Sequence, residues 1–500
     1  MDYFQYVLNA LFQPFNLTLL FSGVIIGIIF GAIPGLTGAL AIVLLLPFTF
    51  MMKSEPAIIL LVSIYIGGIS GGFIASTLIG IPGTPASIAT TLEAWPLAKK
   101  GGTVKALGIG IVASFIGTFF SGIIAMFLSP VIAEVAVKLG PWEFFGLCLL
   151  AISLIISLSE GDVLKGLAAA CIGFLMGSVG FAPVCGTPRF TFGILNLGSG
   201  FTLSATMMGF FAVRQVLVDY GKKNITLPEV PQQKIRGLGF TAKEFFANGW
   251  NMIRSFFIGL GIGFLPGMGS GISSFVAYAQ AKSASKHPEE YGNGTIEGIF
   301  ATETANNATI GGAVVPMIAL GIPGDSTTAL LLGALTIQGL EPGPLLMVNN
   351  PHFAYVLFGA LLLGAIVTLI AQVLGMRFFP KLLNIKFVYM FPVIMLLCFI
   401  GAFSDANSIF NVGMVVVCGL LGFLLTWGKF PITPLVLAYI LSPMLETYLR
   451  RGISYTDAGF LTFFTRPVSA ILILVAVLAV IQAFLKPVLK KRKEEKKAAQ

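Results

Sequence analysis

Long apolar runs broken from within by glycine and proline constrain this chain more than any other feature. Stretches long enough to enter or cross a bilayer fill most of its length, from about 17–50 to about 467–485, and several carry a Gly-x-x-Pro-Gly interruption inside them. A bilayer core offers no water to freed N–H and C=O groups. A break at that depth survives only where protein or a water-filled cavity satisfies them, which favours a transporter or channel over a bundle of plain anchors. Charge content agrees. Only 10% of the residues are Asp, Glu, Lys or Arg and the mean hydropathy is +0.94, whereas a soluble domain carries about 25% charge. The chain reads as an all-α polytopic membrane protein with roughly 10–14 membrane segments.

The interruptions recur in order. Gly27, Gly31, Pro34 and Gly35 reappear at one constant offset as Gly259, Gly263, Pro266 and Gly267, and Gly80-Ile81-Pro82-Gly83 reappears as Gly321-Ile322-Pro323-Gly324. Ile69-Ser70-Gly71-Gly72 matches Ile310-Gly311-Gly312-Ala313, and Ser159-Glu160-Gly161-Asp162 matches Ser404-Asp405-Ala406-Asn407. These correspondences divide the chain into a first transmembrane repeat (1–220), a polar linker (221–243), a second repeat (244–485) and a basic tail (486–500). Helices interrupted at matching places in two halves are the signature of secondary transporters and point to the binding site. An inverted arrangement of the repeats is favoured, because 17–50, 82–98 and their counterparts can form re-entrant hairpins that do not cross. Counting positive charges alone would put linker and tail on the same, cytoplasmic side.

Three motifs carry candidate chemistry. In the first, Pro34-Gly35-Leu36-Thr37 and Pro266-Gly267, proline ends one helix, glycine permits the turn, and the next helix starts with free N–H groups that favour an anion. The bland alternative is a packing kink. In the second, Gly83-Thr84-Pro85-Ala86-Ser87 and Gly324-Asp325-Ser326-Thr327-Thr328, hydroxyls follow the break. They suit helix capping and, with unwound carbonyls, a small cation. Asp325 at the edge of an apolar run is a functional candidate in its own right. The third, Thr302 to Thr309, has six polar side chains in eight residues. Glu303 and Asn307 share a helix face, so Glu303, Asn306, Asn307, Thr309 and Asp325 form the candidate sodium set, against the competing reading of a solvated helix end. Pro34, Gly35, Thr37, Gly83, Thr84, Ser87, Pro266, Gly267, Gly324, Ser326 and Thr327 form the candidate substrate set. Arg189 joins them because a guanidinium can clasp a carboxylate; snorkelling to the interface is the alternative. Glu93, Arg254, Arg377 and Glu446 are further intramembrane charges.

Other residues exclude more than they assign. Of the net charge of +9, the tail from Lys486 to Lys497 supplies +5 (seven basic residues against Glu494 and Glu495), so lipid head groups are its expected contact and nucleic acid is not. The five cysteines lack CxxC spacing and read as small hydrophobes. His287 and His352 beside prolines read as loop residues, so neither histidine catalysis nor a metal cofactor is expected. Gly324-Asp325 and Gly269-Ser270-Gly271 superficially suggest intramembrane proteases, but the first lacks a convincing second aspartate deep in a helix and the second lacks an intramembrane histidine to activate the serine. No enzyme activity is expected. Residues 1–16 lack the basic start of a cleavable signal and read as an interfacial amphipathic helix.

With Gly31-Ala32-Ile33-Pro34-Gly35-Leu36-Thr37, Gly80-Ile81-Pro82-Gly83-Thr84-Pro85, Gly186-Thr187-Pro188-Arg189-Phe190-Thr191-Phe192-Gly193 and the run from Glu303 through Asn306-Asn307 to Asp325-Ser326, the chain resembles the large membrane subunit of the tripartite tricarboxylate transporters over nearly its whole length. The resemblance implies a multi-pass protein of the bacterial inner membrane. It also implies a periplasmic solute-binding protein and a small four-helix membrane subunit as partners, a tricarboxylate or related organic acid as substrate, and coupling to an ion gradient, commonly sodium. A single-component channel or exporter of organic anions is the competing function.

Overall fold

The broken segments fold as half-helices joined at the predicted prolines and glycines, in a computed structural model that describes residues 3–157, 163–220, 237–383 and 390–498. Helix α1 (Tyr3–Leu11) precedes α2 (Pro14–Ala32), α3 (Gly38–Thr49), α4 (Ser54–Leu78), α5 (Ile88–Leu97), α6 (Thr103–Ala136), α7 (Pro141–Ser157) and α8 (Val163–Gly177). A minimal hairpin of β1 (Gly180–Phe181) and β2 (Pro188–Arg189) follows, then α9 (Leu203–Met207), a π-helical turn over Met208–Val213, and α10 (Arg214–Tyr220). The second set is α11 (Ala242–Ala247), α12 (Gly249–Gly263), α13 (Gly269–Ala284), α14 (Ile296–Leu320), α15 (Ser326–Ile337), α16 (Pro344–Asn349) and α17 (Pro351–Gly375). It continues with α18 (Phe379–Leu383), α19 (Met390–Ala406), α20 (Ile409–Trp427), α21 (Ile432–Ser454), α22 (Thr462–Thr465) and α23 (Pro467–Ala498).

Among the described residues seven helical stretches are long and apolar enough to cross a membrane, and five shorter apolar helices accompany them. The fold is therefore that of an all-α polytopic membrane protein, and the described residues hold no strand beyond the two-residue pairing of β1 and β2.

Lipid tails are as apolar as leucine, so helices in a bilayer associate by close packing and not by expelling water. Glycines supply that packing here. A Cβ on Gly31 would lie 2.2 Å from the carbonyl oxygen of Gly68, and one on Gly27 would lie 2.4 Å from that of Ile64, so α2 rests directly on α4. Their counterparts do the same for α12 on α14: a Cβ on Gly259 would lie 2.2 Å from the Ala305 carbonyl oxygen, and one on Gly263 would lie 2.8 Å from that of Thr309. The breaks match as well. Gly35 (φ +92°) and Gly267 (φ +78°), like Gly80 (φ +69°) and Gly321 (φ +72°), hold left-handed conformations that side chains resist. Each half lends its long helix to the other, α6 packing on α14 and α17 on α4.

Some expectations change. His352 is not a loop residue: it sits in the first turn of α17, its ring against Tyr3 and Tyr6 of α1. Of the cysteines, Cys148, Cys398 and Cys418 are buried and Cys171 faces outward from the apolar helix α8, as small hydrophobes can in a bilayer, while Cys185 is exposed in the loop between β1 and β2. Most of the linker (221–236), the Ser159–Asp162 motif and the tail side chains beyond Leu485 lie outside the described residues. Where the chain resumes, Thr241 and Glu244 cap α11, and the Lys105 ammonium paired with Glu244 pulls its carboxyl down to about 2.

Because the Gly31 and Gly263 contacts are with backbone, Gly31→Val or Gly263→Val is expected to destabilise the protein by at least about 1–3 kcal/mol. Gly261→Ala, where a Cβ would meet nothing within 4 Å, should leave the apparent melting temperature in detergent unchanged or slightly raised. Equal melting temperatures for all three would refute glycine packing as the basis of these helix pairs.

Candidate functional site

All four breaks come together. Each ends one helix and starts the next, and the four starts line a single cavity of about 600 Å3: Thr37, Gly38 and Ala39 at α3; Thr84, Pro85 and Ala86 before α5; Gly267 to Ile272 at α13; and Asp325, Ser326 and Thr327 at α15. The joins are direct. The Gly267 N–H donates to the Gly324 carbonyl oxygen at 2.8 Å, tying the two breaks of the second half. In the first half a Cβ on Gly83 would fall 2.3 Å from the Gly31 carbonyl oxygen. A Cβ on Gly271 would lie 3.6 Å from the Pro85 carbonyl oxygen, which brings the halves together at the cavity.

The starts differ in how their N–H groups are satisfied. Thr37 caps α3 by accepting from the Leu40 N–H at 3.1 Å. Asp325 caps α15: Oδ1 accepts from the Thr328 N–H at 2.7 Å, Oδ2 from the buried Tyr65 hydroxyl at 2.9 Å. No side chain caps α13, which starts Gly269-Ser270-Gly271. Its first N–H groups and the positive end of its dipole therefore face the cavity, an arrangement that favours an anion.

Beside this wall lies a buried polar network. Every residue from Thr302 to Thr309 is buried, which overturns the solvated-end reading: α6 from the other half covers this face of α14. Glu303 accepts from the Thr90 hydroxyl at 2.5 Å, the Ser114 hydroxyl at 3.2 Å and the Asn306 amide at 3.3 Å. Asn307 donates to Ser114 Oγ at 2.9 Å and accepts from Ser70 and Thr118. All of these donors are neutral, so Glu303 has no cationic partner among them. Asn306 Oδ1 is buried without a hydrogen-bond partner. A carboxylate, an orphaned amide oxygen and several hydroxyls make an oxygen-rich set that suits a hard cation. No cluster of three or more His, Cys, Asp or Glu that could hold a metal occurs among the described residues. The network adjoins the cavity, since Gly68 and Ile69 line the cavity and Ser70 joins the network.

The sequence sets divide accordingly. Thr37, Thr84, Gly267, Ser326 and Thr327 line the cavity. Pro34, Gly35, Gly83, Ser87, Pro266 and Gly324 do not; they shape the turns behind it, and the Ser87 hydroxyl bonds back to Thr84. Asp325 belongs to the cavity and not to the Glu303 network, and the Thr309 hydroxyl donates to the Asn306 carbonyl oxygen at 2.5 Å. The candidate sodium set thus contracts to Glu303, Asn306 and Asn307, joined by Ser70, Thr90, Ser114 and Thr118. Arg189 does not line the cavity: it clasps Glu446 with bonds of 2.8 and 2.9 Å and anchors the hairpin to α21. Glu93 also has a structural place, accepting from the N–H groups of Gly294 and Thr295 at 2.8 Å. Tyr65, Arg214, Gln215, Thr426, Lys429 and Thr433 add polar side chains to the cavity lining and stand outside the motifs that sequence singled out.

A family profile described as "Tripartite tricarboxylate transporter TctA family" matches residues 17–437. An uncharacterized 52.8 kDa protein of Agrobacterium vitis, from the TAR-I ttuC' 3' region, is 33% identical over 483 residues, covering 96% of this chain and 95% of that protein. A second uncharacterized protein of the same organism, from the TAR-II ttuC' 3' region, is 34% identical over 231 residues, 46% of this chain and 96% of its own length. No solved structure matches the chain.

Tyr65→Phe removes one donor from the Asp325 carboxylate and should cost about 1 kcal/mol, while Asp325→Ala leaves the Thr328 N–H and the Tyr65 hydroxyl unpaired and should cost more, about 2–3 kcal/mol. A double-mutant cycle read by thermal unfolding should show a coupling between the two sites. Strict additivity would mean that the bond does not contribute.

Proposed function

The chain belongs to the tripartite tricarboxylate transporter TctA family, as a multi-pass membrane component of a transporter, and from that premise we propose that it is the substrate-translocating subunit of a binding-protein-dependent importer. The observation that carries this reading is the meeting of four helix starts around one cavity. A carboxylate handed over by a periplasmic binding protein would enter the cavity. The uncapped N–H groups of α13, with the hydroxyls of Ser326 and Thr327, would hold it. Helix starts suit the task because they offer fixed donors and a favourable dipole without placing a buried charge in the bilayer.

Coupling, on this reading, belongs to the Glu303 network, which would take up a sodium ion through Glu303, Asn306 and nearby hydroxyls. A cation there neutralises a buried carboxylate, and the strand of α4 from Gly68 to Ser70 carries the effect to the cavity wall. Alternating access would follow from movement of one part of each half against the rest. The substrate class is tricarboxylates or related organic acids, the membrane is the bacterial inner membrane, and the small four-helix subunit is the further partner.

Uptake into proteoliposomes, with and without the binding protein and across an imposed sodium gradient, tests this directly. Sodium-dependent uptake should require the partner, and Asn307→Ala or Glu303→Gln should lower it about tenfold or more, as loss of a bond to a charged group implies. Uptake unchanged at every sodium concentration would sink the ion-site assignment, and uptake independent of the binding protein would sink the importer reading.

A further inference from the structure

Besides the helix starts, the cavity lining carries two cations, Arg214 and Lys429, together with Gln215, Thr426 and Thr433. Arg214 follows the π-helical turn over Met208–Val213. Such a turn inserts a residue into the helical repeat, redirects the side chains after it, and recurs at functional sites. The guanidinium is held by three bonds: Nε to the Phe210 carbonyl oxygen at 2.7 Å, Nη1 to Thr426 Oγ1 at 3.3 Å and Nη2 to Gln215 Oε1 at 2.8 Å. All three acceptors are neutral. A guanidinium has five N–H donors, so this pose is fixed while donors remain for a ligand. Asp219, one turn along, accepts from the Gln215 amide at 2.6 Å, and its charge acts on the guanidinium from outside the cavity lining.

Lys429 is unusual in its backbone. It closes α20 with its own N–H on the Thr426 carbonyl oxygen at 3.0 Å and that of Phe430 on the Leu425 carbonyl oxygen at 2.8 Å, in a left-handed conformation (φ +60°). Glycine is the usual occupant of that position in a helix end of this kind, and Gly428, one residue earlier, has an ordinary φ of −71°. A strained non-glycine residue kept at a cavity wall points to a use for its side chain.

On the reading that the cavity is the substrate site, we propose that Arg214 and Lys429 recognise the substrate's carboxylates together with the α13 start and set a preference for anions with two or more of them. The lining holds two cations against one carboxylate, that of Asp325, which is already bonded by Thr328 and Tyr65. A polycarboxylate engages both, one group on the α13 start and another on the guanidinium in the paired geometry that arginine favours. A monocarboxylate engages one of them only. The cavity of about 600 Å3 accommodates such an anion together with water.

Binding of citrate, succinate and propionate to the full chain in lipid nanodiscs separates the possibilities. Arg214→Gln should weaken citrate binding about tenfold or more, the equivalent of one charge-assisted bond, and compress the ratio of citrate to propionate affinities; Arg214→Lys should recover part of both. Lys429→Gly is the sharper variant: it relieves the left-handed strain, so the melting temperature should hold or rise while citrate affinity and the same ratio fall. Ser270→Trp, which fills the cavity at the α13 start, should abolish binding. Loss of binding in Ser270→Trp with wild-type affinities and ratios in both Arg214→Gln and Lys429→Gly would overturn the cationic clamp and leave the cavity as the site. Wild-type binding in Ser270→Trp would overturn the cavity itself, and the clamp with it.

Discussion

Every backbone polar group at membrane depth must find a partner in the protein or in a cavity within it, and this requirement organises the whole molecule. A proline at position 34, 82, 266 or 323 ends a helix and strands its last carbonyls and the next helix's first N–H groups. In the described structure those groups turn towards one another and towards one cavity, because no other place in a bilayer would satisfy them. The Gly267 N–H on the Gly324 carbonyl oxygen is this requirement in miniature: one break supplies the donor that the other needs. Glycine at 31, 83, 263 and 324 lets the backbones approach closely enough for such pairing. The same absence of a Cβ that permits the turn also permits the packing.

That origin explains what could be read in the sequence. Breaks are written locally, in Pro34-Gly35 or Gly321-Ile322-Pro323-Gly324, since the residue types needed for a turn are the ones at the turn. Their convergence was implied by their recurrence in order. The polar run Thr302–Thr309 was equally visible, but its burial was not: six polar side chains in eight residues look solvated until α6, from the other half, is laid over them. Tyr65 and Arg214 were illegible for the same reason. Each is one residue in an apolar run, and only tertiary packing gives it a role, Tyr65 through an aspartate 260 positions away and Arg214 through a π-helical turn that no simple periodicity announces. Arg189 misled in the opposite direction. Its motif is specific, yet its partner Glu446 lies on α21, and an arginine satisfied by a carboxylate within the protein is a brace for the hairpin.

The two halves use matching breaks but do not bury them equally. Of the twelve residues of α3, ten are buried; of the sixteen of α13, only Ser273, Ser274, Ala277 and Ala281 are. α3 is enclosed by the protein, whereas α13 turns apolar side chains such as Phe275 and Val276 outward, as suits a lipid-facing surface. The Glu303 network crosses between the halves. It joins α4, α5, α6 and α14 through Ser70, Thr90, Ser114 and Asn307, so on the proposed coupling a cation that neutralised its carboxylate would act on helices from both halves at once.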